Sequence, residues 1–172
     1  MRVLTGLTIP ALLAAPAARA ELLYANPDAM LIRHEYRVAA SAAKTWESLL
    51  HPERWWPAEH TWSGRREALS LAGEAGGCFC ERWDGGGAVH GRVVMAQPGK
   101  LLRLEAALGP LQEMAVTGVL SVHLAEQEGT TTVTVNYRVS GDPMHRLDGF
   151  AAIVDPVVGL QFSELAAEAA RP

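Results

Sequence analysis

Between residues 30 and 38 the chain alternates strictly, with Met30, Ile32, His34, Tyr36 and Val38 on one side and Arg33, Glu35 and Arg37 on the other. Successive side chains of a strand point to opposite faces, so this pattern predicts a half-buried strand. The period then changes. Ser41 stands at an N-cap position, and Thr45, Trp46, Leu49 and Leu50 follow at helical spacing over 42–50 until His51-Pro52 ends the run. A further helical turn over 53–56 stops at Pro57, and 58–66 is irregular. Strand patterns then dominate: a short strand over 68–71, a hairpin of 78–83 and 88–97 around Asp84-Gly85-Gly86-Gly87, and strands over 100–107, 116–124 and 132–139. The last segment returns to helical spacing through Ile153, Val157, Leu160 and Leu165, with Asp155 as its N-cap and Pro156 as its first helical residue.

A strand, two short helices, a run of antiparallel strands and one long C-terminal helix predict an α+β domain, its curved sheet wrapped around that helix. A strongly bent sheet cannot touch a straight helix along its whole length. The spare space forms a cavity near the short helices.

The N-terminus adds a compartment. Met1-Arg2, an apolar run over 3–15 and the small-x-small triplet Ala18-Arg19-Ala20 have the layout of a secretory signal peptide over 1–20, cleaved after Ala20. The run falls well short of the roughly 20 residues that span a membrane, so no stable membrane anchor is expected. Residues 21–28, with the turn cluster Asn26-Pro27-Asp28, form a lead-in, and 29–172 form one domain. The expected location is periplasmic or secreted. The formal net charge is −4 with acids and bases interspersed, which leaves no basic stripe for nucleic acid. No serine nucleophile elbow, phosphate loop or nucleotide fingerprint occurs, and Gly85 to Gly87 read as a hairpin turn because no helix follows them. No cofactor is therefore expected.

The segments "VAASAAKTWESL", "HPERWWPAEHTWSG", "GGCFCERWDGGG", "GRVVMAQPGKLLRL" and "LGPLQ" carry a resemblance to the START-like, or SRPBCC, superfamily. The nearest branch is that of heat-shock ATPase activator homologues and polyketide cyclase-like proteins. The resemblance runs from about Leu31 to about Ala167. It implies a helix-grip fold and an internal cavity for a small apolar or amphipathic ligand, with catalysis in some branches. An exported member cannot regulate a cytosolic chaperone, and the sequence names no partner protein either way.

Cys78 and Cys80 stand one residue apart on a predicted strand and so share a face. Extended backbone sets their Cα atoms about 6.5–7 Å apart, whereas a disulfide needs Cβ atoms near 3.8 Å. A bridge therefore requires a bend or bulge, for which Gly76-Gly77 and an oxidising compartment leave room. Extended geometry favours two buried free thiols over the bridge. Zinc, with His60 or His90 as further ligands, ranks last because the spacing is not that of structural zinc sites and no second cysteine pair exists. With Trp83 paired to Ala88, the cysteines share the concave face with Val89, Gly91, Val93 and Met95. Glu81, His90 and Arg92 then fall outside, His90 beside Glu81 as an outer polar pair.

His34 lies among inward residues, either touching a ligand or serving as a hydrogen-bonded core imidazole. Trp55, Trp56 and Trp62, three of the five tryptophans, flank Glu59 and His60 at the expected cavity entrance. Aromatic rings there suit either a flat apolar ligand or simple packing of the short helices. Glu59 with His60 is a candidate acid–base pair. The expected ligand-binding set is thus His34, Trp55, Trp56, His60, Trp62, Cys78, Cys80 and, from the last helix, Phe162, with no catalytic or metal-binding residue assigned. The leading function is binding of a small apolar or amphipathic molecule. The alternatives are a cyclase- or hydrolase-like enzyme using His60 or His34 with a carboxylate, and a structural or interaction protein whose cavity is filled by side chains.

Overall fold

The computed structural model describes residues 19–172. Residues 1–18, which hold most of the expected signal peptide, lie outside the described residues. The first element is strand β1 (Arg19–Asn26), so the stretch expected as a lead-in is a strand. It pairs antiparallel with β2 (Ala29–Val38), joined through Pro27 and Asp28. The lead-in expectation failed because β1 lacks a clean alternation: a register shift between Leu22 and Tyr24 interrupts it.

Helices α1 (Ala42–Leu49) and α2 (Pro52–Trp55) follow as expected, and the Ser41 hydroxyl accepts from the Lys44 amide at 3.2 Å to cap α1. The remaining strands are β3 (Leu69–Leu71), β4 (Cys78–Trp83), β5 (Gly86–Gln97), β6 (Leu101–Glu105), β7 (Thr117–Gln127) and β8 (Thr130–Ser140). Among the described residues one antiparallel sheet of eight strands results, in the order β1-β2-β8-β7-β6-β5-β4-β3. The fold is α+β, a helix-grip: the sheet curls around helix α3 (Leu147–Ala169).

Two irregularities on β5 bend the sheet. Val94 is skipped in the pairing with β6, and His90 is skipped in the pairing with β4. An extra residue on one strand of a pair kinks it and increases its twist, so β5 curls the β3–β6 side toward α3. The β4–β5 turn is also tighter than expected. Trp83 pairs with Gly86 rather than Ala88, leaving a two-residue Asp84-Gly85 turn with Gly85 at a φ of 82°.

Helix α3 starts eight residues before Asp155, so Asp155 is not its N-cap, and Pro156 sits inside the helix. Packing overrides the proline's missing amide here: Leu147, Ala151, Val158, Phe162 and Leu165 are buried, fastening both halves to the sheet. One hydrogen bond and one close approach of His34 to Asp155, whose facing atoms make no hydrogen bond among the described residues, join the centre of α3 to β2. The Tyr36 hydroxyl donates to the Gly159 carbonyl at 2.7 Å, and His34 Nε2 lies 2.8 Å from Asp155 Oδ1. Burial, with the Asp155 carboxylate nearby, pushes the Tyr36 phenol up to about 12, which keeps it a donor at any ordinary pH.

Buried Tyr137 on β8 makes a second tie: its hydroxyl accepts from the Leu108 amide at 3.0 Å and donates to the Ala106 carbonyl at 3.1 Å. Both groups belong to the link after β6. Tyr137→Phe strips both partners and is expected to cost about 1–3 kcal/mol. For a chain of this size that corresponds to a fall in Tm of about 2–4 °C per kcal/mol, measured by calorimetry.

Candidate functional site

A cavity of about 240 Å³ opens between the N-terminal half of α3 and the chain that follows α2. Phe150, Val154 and Val158 supply its α3 wall, Trp56 to Trp62 form one side, and Leu108 to Pro110 close another. The walls are mostly apolar, and no lysine or arginine lines them among the described residues.

The cavity's polar groups are few and their surroundings are specific. Glu81 on β4 is 0% exposed. Its Oε1 accepts from the Ser63 amide at 2.6 Å, and its Oε2 accepts from the Trp62 amide at 3.0 Å and lies 2.9 Å from His90 Nε2. Burial by itself raises the carboxyl, but the hydrogen bonds from Ser63, Trp62 and His90 outweigh it and hold Glu81 below the ordinary carboxylate range. An ionised carboxylate only accepts, so Nε2 of His90 is the donor in their contact. His90 lines the cavity, and its ring packs 5.0 Å from that of Phe79. Opposite, Gln161 of α3 lines the cavity at 4% exposure, and its Oε1 has no hydrogen-bond partner among the described residues.

Of the expected ligand-binding residues, Trp56, His60 and Trp62 line this cavity. The Trp56 indole donates to the His60 carbonyl at 3.0 Å, which folds the segment back on itself, and Trp62 stands 50% exposed at the wall. Trp55 and Phe162 pack on each other in the core with ring centroids 5.6 Å apart, and the Trp55 indole donates to the Ser48 carbonyl. Neither lines the cavity. His34 is the core imidazole beside Asp155, against α3 and away from the cavity.

The cysteines depart most from expectation. Cys78 and Cys80 form a disulfide, with Cα atoms 5.4 Å apart. They lie on the face opposite Phe79 and Glu81, where their cross-strand partners Arg92 and Val89 are exposed. The inward and outward assignments of β4 are therefore reversed: Phe79 and Glu81 face the cavity side and the cysteines do not line it. Phe79 is the larger apolar side chain and takes the core position, its ring 5.1 Å from Trp56. Opposite Phe79 is Gly91, where a Cβ would lie 2.9 Å from the Ala106 Cβ, so only glycine fits. Glu59 and His60 both line the cavity without bonding each other, and the hydrogen-bonded carboxylate–imidazole pair is Glu81 with His90. Gln161 carried no signal in the sequence beyond its place in the last helix.

No family model matches the chain, and comparison with curated proteins gives no match. Solved structures do resemble it. A Thermobifida fusca protein superposes with a TM-score of 0.58 at 17% identity, covering 81% of this chain and 92% of that one. CalU16 from Micromonospora echinospora superposes at 0.55 and 14% identity, covering 91% and 75%. StfQ, the di-domain ARO/CYC of the steffimycin biosynthetic pathway, superposes at 0.55 and 10% identity, covering 83% of this chain and 51% of StfQ. The likeness bears out the helix-grip fold. At these identities the likeness extends to the fold alone.

The Glu81 network has a pH consequence. Its folded carboxyl lies below the ordinary range, so its contribution is present above about pH 4.3 and is lost as pH falls through the folded value. Glu81→Gln places an amide donor against backbone donors and is expected to cost about 1–3 kcal/mol near neutrality. The Tm gap between wild type and variant should narrow on acidification below about pH 4. Melting curves across that range check it.

Proposed function

We propose that this chain is an exported, periplasmic or secreted binding protein that holds a small, uncharged, amphipathic molecule between its sheet and α3. The observation that carries the reading is an apolar cavity with few polar groups, among which Gln161 Oε1 has no partner among the described residues and the Glu81–His90 pair is already satisfied on its carboxylate side. A buried acceptor without a donor is costly, and a ligand hydroxyl against Gln161 removes the cost. The same lining argues against anionic ligands. It presents Glu59 and has Glu81 behind His90, with no lysine or arginine among the described lining residues to offset a ligand carboxylate. At about 240 Å³ the space lies below the roughly 300–1,000 Å³ of drug-sized sites, which suits a molecule of one or two fused rings. Export rests on the residue pattern over 1–20.

A second reading is catalytic. A buried carboxylate orienting an imidazole against a cavity is the arrangement of a general base, so a cyclase- or hydrolase-like activity falls to His90 with Glu81 rather than to His60 or His34. The polyketide cyclase-like branch, rather than the heat-shock ATPase activator homologues, accords with this reading.

Fluorescence titration with naphthol and with naphthoate tests the binding reading. Naphthol is expected to bind, and naphthoate to bind at least tenfold more weakly. Gln161→Leu keeps the side-chain size, removes the acceptor and should weaken naphthol about fivefold to tenfold, the worth of one hydrogen bond. Equal affinity for the two probes, or an unchanged affinity in the variant, defeats the assignment. Native mass spectrometry of the purified protein reports any retained ligand.

A further inference from the structure

We infer that the Cys78–Cys80 disulfide is a positioning element for the cavity: it holds the contracted step of β4 against which His90 is bulged inward onto Glu81. The inference rests on the reading of Glu81 and His90 as polar groups of the ligand site.

As a fold staple the bridge has little to contribute. It closes a loop of three residues, where the chain-entropy gain from a cross-link is smallest. Its local effect on geometry is larger. Extended backbone separates alternate Cα atoms by about 6.5–7 Å, whereas Cys78 and Cys80 stand 5.4 Å apart, so β4 is shortened across Phe79. The neighbouring strand shows the complementary distortion at the same step. Phe79 pairs with Gly91 and Cys80 with Val89, leaving His90 as the extra residue of a bulge.

That bulge decides where His90 points. His90 is the residue the ladder skips, and its Nε2 reaches inward-facing Glu81 at 2.9 Å while the next residue, Gly91, pairs with inward-facing Phe79. In a regular ladder with Gly91 inward, His90 would project to the outer face, away from Glu81. Phe79, held between the two cysteines, packs its ring 5.0 Å from His90, so the shortened step and the imidazole are in direct contact. Cys78 is only half-buried and lies on the outer face, where an external dithiol reaches it without entering the cavity.

Reduction is then a two-electron exchange. A thiolate of the dithiol attacks Cys78 Sγ, the Sγ–Sγ bond breaks, and Cys80 leaves as a thiolate that takes up a proton. The second thiol of the reagent resolves the mixed disulfide, which releases the Cys78 thiol and leaves the reagent as its own disulfide. With the bridge open, β4 relaxes to extended spacing and the bulge loses its partner distortion. His90 leaves Glu81.

The test compares oxidised wild type, wild type reduced with dithiothreitol, and the C78S/C80S double variant. The first readout is the His90 imidazole nitrogen resonances by NMR, and the second is naphthol affinity. Reduced protein and double variant are expected to stay folded by circular dichroism. Their His90 Nε2 resonance should move from the carboxylate-bonded position toward that of a solvated imidazole, and naphthol affinity should fall to that of His90→Ala. Unchanged His90 resonances on reduction overturn the inference whatever the affinity does. Unfolding of both the reduced protein and the double variant also overturns it, because the bridge is then a staple. If His90→Ala itself binds naphthol as tightly as wild type, the ligand-site reading fails, and the NMR comparison still decides whether the disulfide positions His90.

Discussion

A carboxylate removed from water must be met by donors, and Glu81 sets the terms for the site around it. It is fully buried on β4, and its partners come from two places distant in sequence: the amides of Trp62 and Ser63, and the imidazole of His90. The loss of hydration is offset only when all of these arrive together. The same contacts that satisfy the charge therefore pin the segment after α2 onto β4 and β5. That segment carries Trp56, His60 and Trp62, which wall one side of the cavity.

The opposite wall is held by different means. Helix α3 is long and apolar enough in composition to cross a membrane, and Leu147, Ala151, Val158, Phe162 and Leu165 form the face that the sheet buries. Tyr36 and His34 on β2 meet Gly159 and Asp155 across that interface. A side chain at Gly159 would bring a Cβ within 2.9 Å of the His34 ring, so the helix sits close to β2 at its midpoint. The bulges of β5 bend the other side of the sheet around α3. The cavity occupies the gap between a wall tied closely to α3 and a wall bent around it.

Most elements were legible in the chain because their causes are local. The alternation of Met30 to Val38, the Ser41 cap, the Asp84-Gly85 turn and the alternating residues of β7 and β8 act through neighbours one to four positions away. Trp56, His60 and Trp62 were legible as cavity residues because aromatic side chains cluster beside a helix-ending proline. The start of α3 was misplaced for an equally local reason: Pro156 reads as a helix beginning, while the burial of Leu147 and Ala151 extends the helix past it. His34, Trp55 and Phe162 have the right chemistry for a ligand, and the core uses them instead.

The sequence by itself determined the kind and order of the strands and helices from β2 onward and the aromatic character of the entrance, because periodicity, caps and turns are written in adjacent residues. Only the tertiary structure decided which face of β4 looks inward. "CFCERW" has apolar and polar residues on both parities, so alternation alone assigns neither face. The bulge at His90, the disulfide beside it and the amides of Trp62 and Ser63 decide the matter jointly. A charge becomes tolerable in the interior only after distant backbone has come to meet it.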